Sequence, residues 1–69
     1  MNIINKWKEY DDGKLTPPCV VQHDEINGEH LVWVWTGIKI VQVSRKIYDE
    51  QTIIDEVMAL ETAETQEVI

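Results

Sequence analysis

The sequence has one cysteine, no phenylalanine, three glycines and two prolines among its 69 residues. The single cysteine, Cys19, excludes an intramolecular disulfide and is typical of a protein kept in a reducing compartment. There is no CxxC pair or Cys/His cluster with zinc spacing, and no apolar run of signal-peptide length or of the ~20 residues that span a membrane. We therefore expect a cytoplasmic protein without a metal or cofactor.

Basic residues are missing from the C-terminal part of the chain. Residues 49–69 contain seven acidic residues and no basic one, whereas residues 1–48 contain six of each. The formal net charge of −7 therefore lies in this acidic segment. Because a field of one sign attracts opposite charge and repels nucleic acid, the composition favours a basic protein partner over direct binding of nucleic acid.

The length allows one small domain, which buries only roughly 60% of the surface of the unfolded chain. Small domains usually gain stability from disulfides, metals or self-association, and the composition leaves self-association or docking on a partner. We expect an N-terminal segment over residues 1–12, a β-meander over 19–43, an acidic helix over 49–62 and a frayed tail over 63–69.

The N-terminal segment places apolar residues at helical spacing. Ile3, Ile4, Trp7 and Tyr10 fit one face of a short amphipathic helix over residues 2–10. The glycine and the two prolines that follow cannot continue a helix and predict a connector.

The middle of the chain predicts an antiparallel hairpin. Two apolar runs, 19–26 and 29–36, flank Asn27-Gly28, and this dipeptide favours a type I′ turn because both of its residues tolerate positive φ. A second turn at Thr36-Gly37 adds a third strand over 38–43.

Two-residue turns would divide the side chains between two faces. The tryptophan face, named for Trp33 and Trp35, then also carries Val20, Leu31, Ile38 and Ile40. The valine face, named for Val32 and Val34, then also carries Cys19, Val21, His23, Glu25, His30, Lys39, Val41 and Val43. We expect both faces to be covered, since neither is clearly polar.

The acidic segment begins as a helix. Asp49 is placed to cap it, and Tyr48 and Ile53 have the spacing of a hydrophobic staple. The apolar stripe of this helix is predicted to comprise Ile53, Ile54, Val57, Met58 and Leu60. We expect the stripe to pack on the tryptophan face, because indoles bury the most area. The fold class is thus α+β: a three-stranded meander with a C-terminal helix and a short N-terminal one.

Three sets of residues invite a chemical interpretation. His23, Glu25 and His30 resemble a metal-dependent hydrolase set, but no fourth ligand is evident and so small a fold offers little concavity, so we expect no enzyme and no metal site. Cys19 is expected to act as a small buried hydrophobe. Trp33 and Trp35 are expected in the core rather than as a base-stacking platform, which would need a basic groove.

The acidic segment is the strongest candidate for a partner-binding surface. Its residues are Asp49, Glu50, Asp55, Glu56, Glu61, Glu64 and Glu67. We expect an inhibitor or modulator of a basic, nucleic-acid-handling partner, in which carboxylates imitate phosphates, of the kind that phages and mobile elements use against host defences. The alternative is a homo-oligomeric assembly subunit, such as a homodimer, whose oligomer face comprises Val21, Val32, Val34, Val41 and Val43.

Overall fold

The computed structural model describes the backbone of residues 2–67 and the side chains of residues 2–61. The elements in chain order are β1 (Asn2–Asn5), α1 (Trp7–Asp11), β2 (Cys19–Ile26), β3 (Glu29–Trp35), β4 (Ile40–Arg45) and α2 (Glu50–Glu67). All four strands form one antiparallel sheet in the order β1-β2-β3-β4. The predicted α+β class and C-terminal helix are confirmed, and the meander has one strand more than predicted.

The additional strand is β1, where the sequence predicted the start of a helix. Ile4 lies opposite His23 of β2, and the Lys6 amide continues the pairing by donating to the Val21 carbonyl at 2.8 Å. The prediction of one helix over residues 2–10 is therefore wrong for β1 and is confirmed only for residues 7–10, the part of α1 that it covers. So short a helix is not stable by itself, whereas the edge of β2 provides hydrogen-bond partners for the first residues.

The hairpin between β2 and β3 has the predicted turn. Asn27 and Gly28 have φ values of 52° and 79°, as a type I′ turn requires. Glu25 accordingly lies opposite His30, as the predicted register requires.

A bulge in β2 changes the faces at its first residues. The register shifts between Val20 and Gln22, so that Val20 lies opposite Val34 and Cys19 lies opposite Trp35. Val20 therefore belongs to the valine face and Cys19 lies beside the tryptophan face, the reverse of the prediction. A bulge adds one residue to one strand and exchanges the faces beyond it.

The turn between β3 and β4 is longer than predicted. Thr36 closes it: its amide donates to the Lys39 carbonyl at 3.0 Å, and its hydroxyl accepts from the amides of Ile38 and Lys39 at 3.2 Å. Trp35 consequently faces Ile40 instead of Ile38. Since the shift is two residues, the strand keeps its predicted faces, but Ile38 leaves the sheet and is 93% exposed.

Helix α2 covers the valine face and not the tryptophan face. The buried cluster combines side chains of the sheet and of the helix: Val20, Val32, Val34, Ile53, Ile54 and Val57. Each such side chain contributes about 1.5–3 kcal/mol when fully buried. The predicted docking of α2 on the tryptophan face is thus wrong.

This docking also decides where the predicted oligomer face lies. Val21, Val32 and Val34 are fully buried within the single chain, and Val41 and Val43 are partly buried against the same core. These valines are therefore occupied by intrachain packing.

The length of α2 differs from the predicted helix. Its backbone is helical to Glu67, beyond residue 62, so the frayed tail over 63–69 stays a prediction, and Val68 and Ile69 lie outside the described residues. Leu60 does not belong to the buried stripe, because its side chain is 53% exposed.

Helix α1 covers one end of the tryptophan face. The Tyr10 ring meets Trp35 edge-on at a centroid distance of 5.2 Å and meets Trp7 edge-on at 5.6 Å. The indole N–H of Trp7 donates to Gln22 Oε1 at 2.5 Å. A half-buried aromatic cluster therefore forms on the side of the sheet opposite α2.

Candidate functional site

The first acidic residues of α2 stabilise the start of the helix. Asp49 Oδ1 accepts from the Thr52 amide at 3.2 Å, and the Asp49 carbonyl accepts from the Ile53 amide at 2.9 Å. The predicted cap is confirmed. The Tyr48 hydroxyl donates to Glu50 Oε1 at 3.1 Å, and the Glu50 carboxylate lies at the positive end of the helix dipole. Both acids thus have a structural role.

Two acids farther along α2 form ion pairs with bases of β4 and of the turn that precedes it. Arg45 Nε lies 3.0 Å from Glu56 Oε1, and Lys39 Nζ lies 3.3 Å from Glu61 Oε1. These pairs could not be predicted from the sequence, because they depend on how α2 crosses the sheet. They partly neutralise the side of α2 that is adjacent to β4.

The remaining acids of the segment occupy positions along the helix. Asp55 is exposed and accepts from Gln51 Nε2 at 2.9 Å, one helical turn away. Glu64 and Glu67 occupy helical backbone positions, and their side chains lie outside the described part of the chain.

Shallow depressions flank the Arg45–Glu56 pair. One is lined by Arg45, Glu56, Ala59 and Leu60, and the other extends along the connector that precedes α2 past Lys46 and Ile47. Ile47 is 77% exposed, so this border of α2 combines exposed apolar side chains with paired charges.

The two histidines form a cluster with Tyr48, in which His23 is buried and the other two are half-buried. His23 is only 3% exposed, and its Nε2 lies 2.9 Å from His30 Nδ1. The Tyr48 ring stacks on the His23 ring at 3.8 Å and 11°. Burial, and then the neighbouring His30, lowers the pKa of His23. Burial, and then the Glu50 carboxylate, raises the pKa of Tyr48 to about 12.

Glu25 does not join this cluster as a third ligand. Its side chain is exposed, although the residue lies opposite His30. Within residues 2–61, no group of three or more His, Cys, Asp or Glu side chains is arranged to hold a metal ion.

Cys19 is half-buried at the start of β2. Burial raises the pKa of its thiol, Lys6 lowers it and Glu50 raises it further. A raised pKa reduces the fraction of reactive thiolate, in keeping with a packing role.

Polar side chains alternate with the aromatic ones on the tryptophan face. Gln22 accepts a hydrogen bond from Trp7 at Oε1 and donates one from Nε2 to Asp24 Oδ2 at 2.8 Å. At the other end, the Ser44 hydroxyl donates to Glu29 Oε2 at 2.5 Å; this bond, and then Lys46, lowers the pKa of Glu29. The face is therefore amphipathic.

The chain was compared with models of protein families, with curated proteins and with solved structures, and none of them matches it. No helix in the described part of the chain is long and apolar enough to cross a membrane.

Proposed function

We propose that the protein binds a basic, nucleic-acid-handling partner and inhibits or modulates it, with the acidic residues of α2 occupying the surface where the partner holds nucleic acid. The carboxylates would take the place of phosphates there. An origin in a phage or mobile element, and a role against host defences, follow by analogy with the size and charge of such inhibitors.

The observation that carries the proposal is the acidity of the second half of α2. Glu64 and Glu67 lie in the last turn of α2, at the negative end of the helix dipole, where acidic residues are unfavourable by about 0.3–1 kcal/mol each when exposed. The helix has no basic residue in its last turn. Helix stability therefore explains Asp49 and Glu50, and the ion pair with Lys39 accounts for Glu61. Neither explains Glu64 and Glu67, whereas binding of a basic partner does.

The ion pairs of Glu56 and Glu61 make these two residues unsuitable for a test of partner binding. Charge reversal of Glu56 or Glu61 would also break the contacts with Arg45 and Lys39, so lost binding could reflect altered packing. Neutralisation of the last two glutamates avoids both described pairs.

The experiment compares two variants with equal changes in net charge. Glu64→Gln with Glu67→Gln removes two charges from α2, and Asp11→Asn with Asp12→Asn removes two exposed charges at the C-terminal end of α1. Tagged proteins capture partners from the native lysate at low and high salt, and duplex DNA or RNA competes for the captured protein. Two exposed ion pairs are worth up to about 1 kcal/mol each, so the α2 variant should bind up to about thirtyfold more weakly.

The same α2 variant should be slightly more stable than the wild type, because it removes charges that oppose the dipole. If the variant binds more weakly although it is more stable, the weaker binding reflects a lost contact with the partner and not a folding defect. Equal weakening by both variants, or captured proteins that nucleic acid does not displace, would contradict the proposal.

A second candidate function is self-association through the tryptophan face. Leu31 and Trp33 are half-buried there and Ile26 is 51% exposed, beyond the end that α1 covers. Light scattering over a hundredfold range of concentration tests it: a dimer whose formation Leu31→Lys prevents would favour an assembly subunit, and a monomer throughout would end this candidate.

A further inference from the structure

The cluster of His23, His30 and Tyr48 joins three parts of the fold. His23 lies in β2, His30 lies in β3, and Tyr48 lies in the connector between β4 and α2. The stacked Tyr48 ring is therefore a link between the sheet and the start of α2. Tyr48 is also partly buried against the core cluster that contains Ile53 and Ile54.

The hydrogen bond between the histidines determines where protons can be placed. Among the described residues, no polar atom is within hydrogen-bonding reach of His23 Nδ1, which is buried. A buried donor without an acceptor is costly, so the favoured tautomer leaves Nδ1 bare and lets His23 Nε2–H donate to His30 Nδ1. A proton added to His23 must then be placed on Nδ1, which has no hydrogen-bond partner. A proton added to His30 Nδ1 instead removes the acceptor of the hydrogen bond between the two imidazole rings.

The charges around the pair are mixed and do not remove this penalty. Asp24 and Glu25 of β2 raise the pKa of His23, but burial and His30 outweigh them. Arg45 of β4 lies opposite His30 and is paired with Glu56, and Glu29 of β3, which interacts with His30, accepts a hydrogen bond from Ser44. Asp49 and Glu50 at the start of α2 are engaged with the Thr52 amide and the Tyr48 hydroxyl.

We propose that the His23–His30 pair and Tyr48 form a proton-sensitive latch, which holds the start of α2 against the valine face when both histidines are neutral and releases it when they take up a proton. Release lets the imidazoles reach water, where either ring can be charged. The latch does not depend on what α2 binds.

The direction of the pH dependence follows from the lowered pKa of His23. His23 has a lower pKa in the closed state than in the open state, where the ordinary value of about 6.5 applies. It therefore stabilises the closed state when the pH is above that value. This contribution is lost as the pH falls below that value. Where one proton is taken up on opening, the opening equilibrium rises up to about tenfold per pH unit.

Amide hydrogen exchange between pH 7.5 and 5.0 tests the latch, since this range lies above the ordinary pKa of carboxyl groups. After correction for intrinsic exchange rates, the opening equilibrium of the Ile53 and Ile54 amides should rise below pH 6.5 by up to about tenfold per unit. The amides between β2 and β3 should show no such rise.

His23→Phe is the matched control, because it keeps an aromatic ring under Tyr48 and cannot take up a proton. After the same correction for intrinsic rates, the opening equilibrium at Ile53 and Ile54 should be independent of pH in this variant; His23→Leu serves the same purpose if the phenylalanine variant does not fold. A pH-independent opening in the wild type, an equal rise in the variant, or an equal rise in the β2–β3 amides would each overturn the proposal.

Discussion

The valine face and the tryptophan face of the sheet bury their side chains in different ways. The valine face is covered by α2, with Val32, Val34 and Val57 fully buried. The tryptophan face is covered by α1 at one end only within the described residues, and its aromatic side chains are half-buried beside polar ones. Branched aliphatic side chains have no polar group to keep in water and gain most from complete burial, whereas Trp and Tyr can keep their polar groups at a wet surface.

Because of this difference, the residues that stabilise the fold and the residues that would contact a partner are expected on different sides of the molecule. The valine face and the inner side of α2 form the core, so changes there should act on the whole fold. The tryptophan face and the outer side of α2 contribute less to the fold and present the charged and aromatic groups that a partner could contact. Mutations on the two sides should therefore have unequal effects on unfolding.

The largest effect is expected for Ile53→Ala, under the valine face. Ile53 is 1% exposed, and truncation of a buried isoleucine to alanine costs about 2–5 kcal/mol. Leu60→Ala on the same helix is the control: that side chain is 53% exposed, so its loss should change stability by less than about 0.5 kcal/mol. Urea unfolding followed by circular dichroism measures both, and equal losses would mean that α2 is not docked as described.

The next effect is expected for Tyr10→Leu, on the tryptophan face. This change removes the edge-on contacts with Trp7 and Trp35, and each such pair is worth about 0.5–1.5 kcal/mol. Tyr10→Phe keeps both contacts and should be nearly neutral. A loss as large as that of Ile53→Ala would show that the two faces contribute equally and would contradict the comparison.

The parts of the fold that were predicted correctly depend on local chemistry. Asn27-Gly28 determines its turn because few other dipeptides adopt positive φ twice, and Asp49 caps α2 because its side chain reaches the amide three residues on. In both cases the interacting groups are adjacent in sequence.

The choice of face was predicted wrongly although the sequence held a signal for it. Gln22, Asp24, Gln42 and Ser44 alternate with the apolar residues of their strands and share the tryptophan face, which marks that face as the wetter one. The bulge in β2 and the pairing of β1 left no comparable signal, because both depend on hydrogen bonds between distant segments.

The residues of the candidate site were predicted from the sequence, but their arrangement in space was not. The seven acids are visible in the sequence, but the pairing of Glu61 with Lys39 depends on the angle at which α2 crosses the sheet. The contact of Tyr48 with His23 was missed for the same reason: the spacing of Tyr48 and Ile53 indicated a staple and gave no information about the sheet.

A smaller effect is expected for Asp49→Ala, at the junction of α2 with the valine face. Loss of the cap leaves the Thr52 amide without its side-chain acceptor and should cost about 0.5–2 kcal/mol. Asp49→Asn keeps a capping oxygen and removes only the charge, so it should retain most of the stability. Thermal unfolding distinguishes the two, and equal losses would assign the effect to charge instead of capping.

The smallest effect is expected for the Arg45–Glu56 pair at the border between the core and the acidic outer side of α2. The two side chains are 33% and 47% exposed, so solvent screens their attraction and a double-mutant cycle of Arg45→Met and Glu56→Gln should give a coupling of about 0.2–1 kcal/mol. The coupling should decrease between 50 mM and 500 mM salt, because the Debye length falls from more than 10 Å toward about 4 Å. A coupling that salt does not change would place the pair in the core instead. A small, salt-sensitive coupling means that a basic partner could compete with Arg45 for the Glu56 carboxylate at little cost in stability, and Glu56 would then belong to the binding surface together with Glu64 and Glu67.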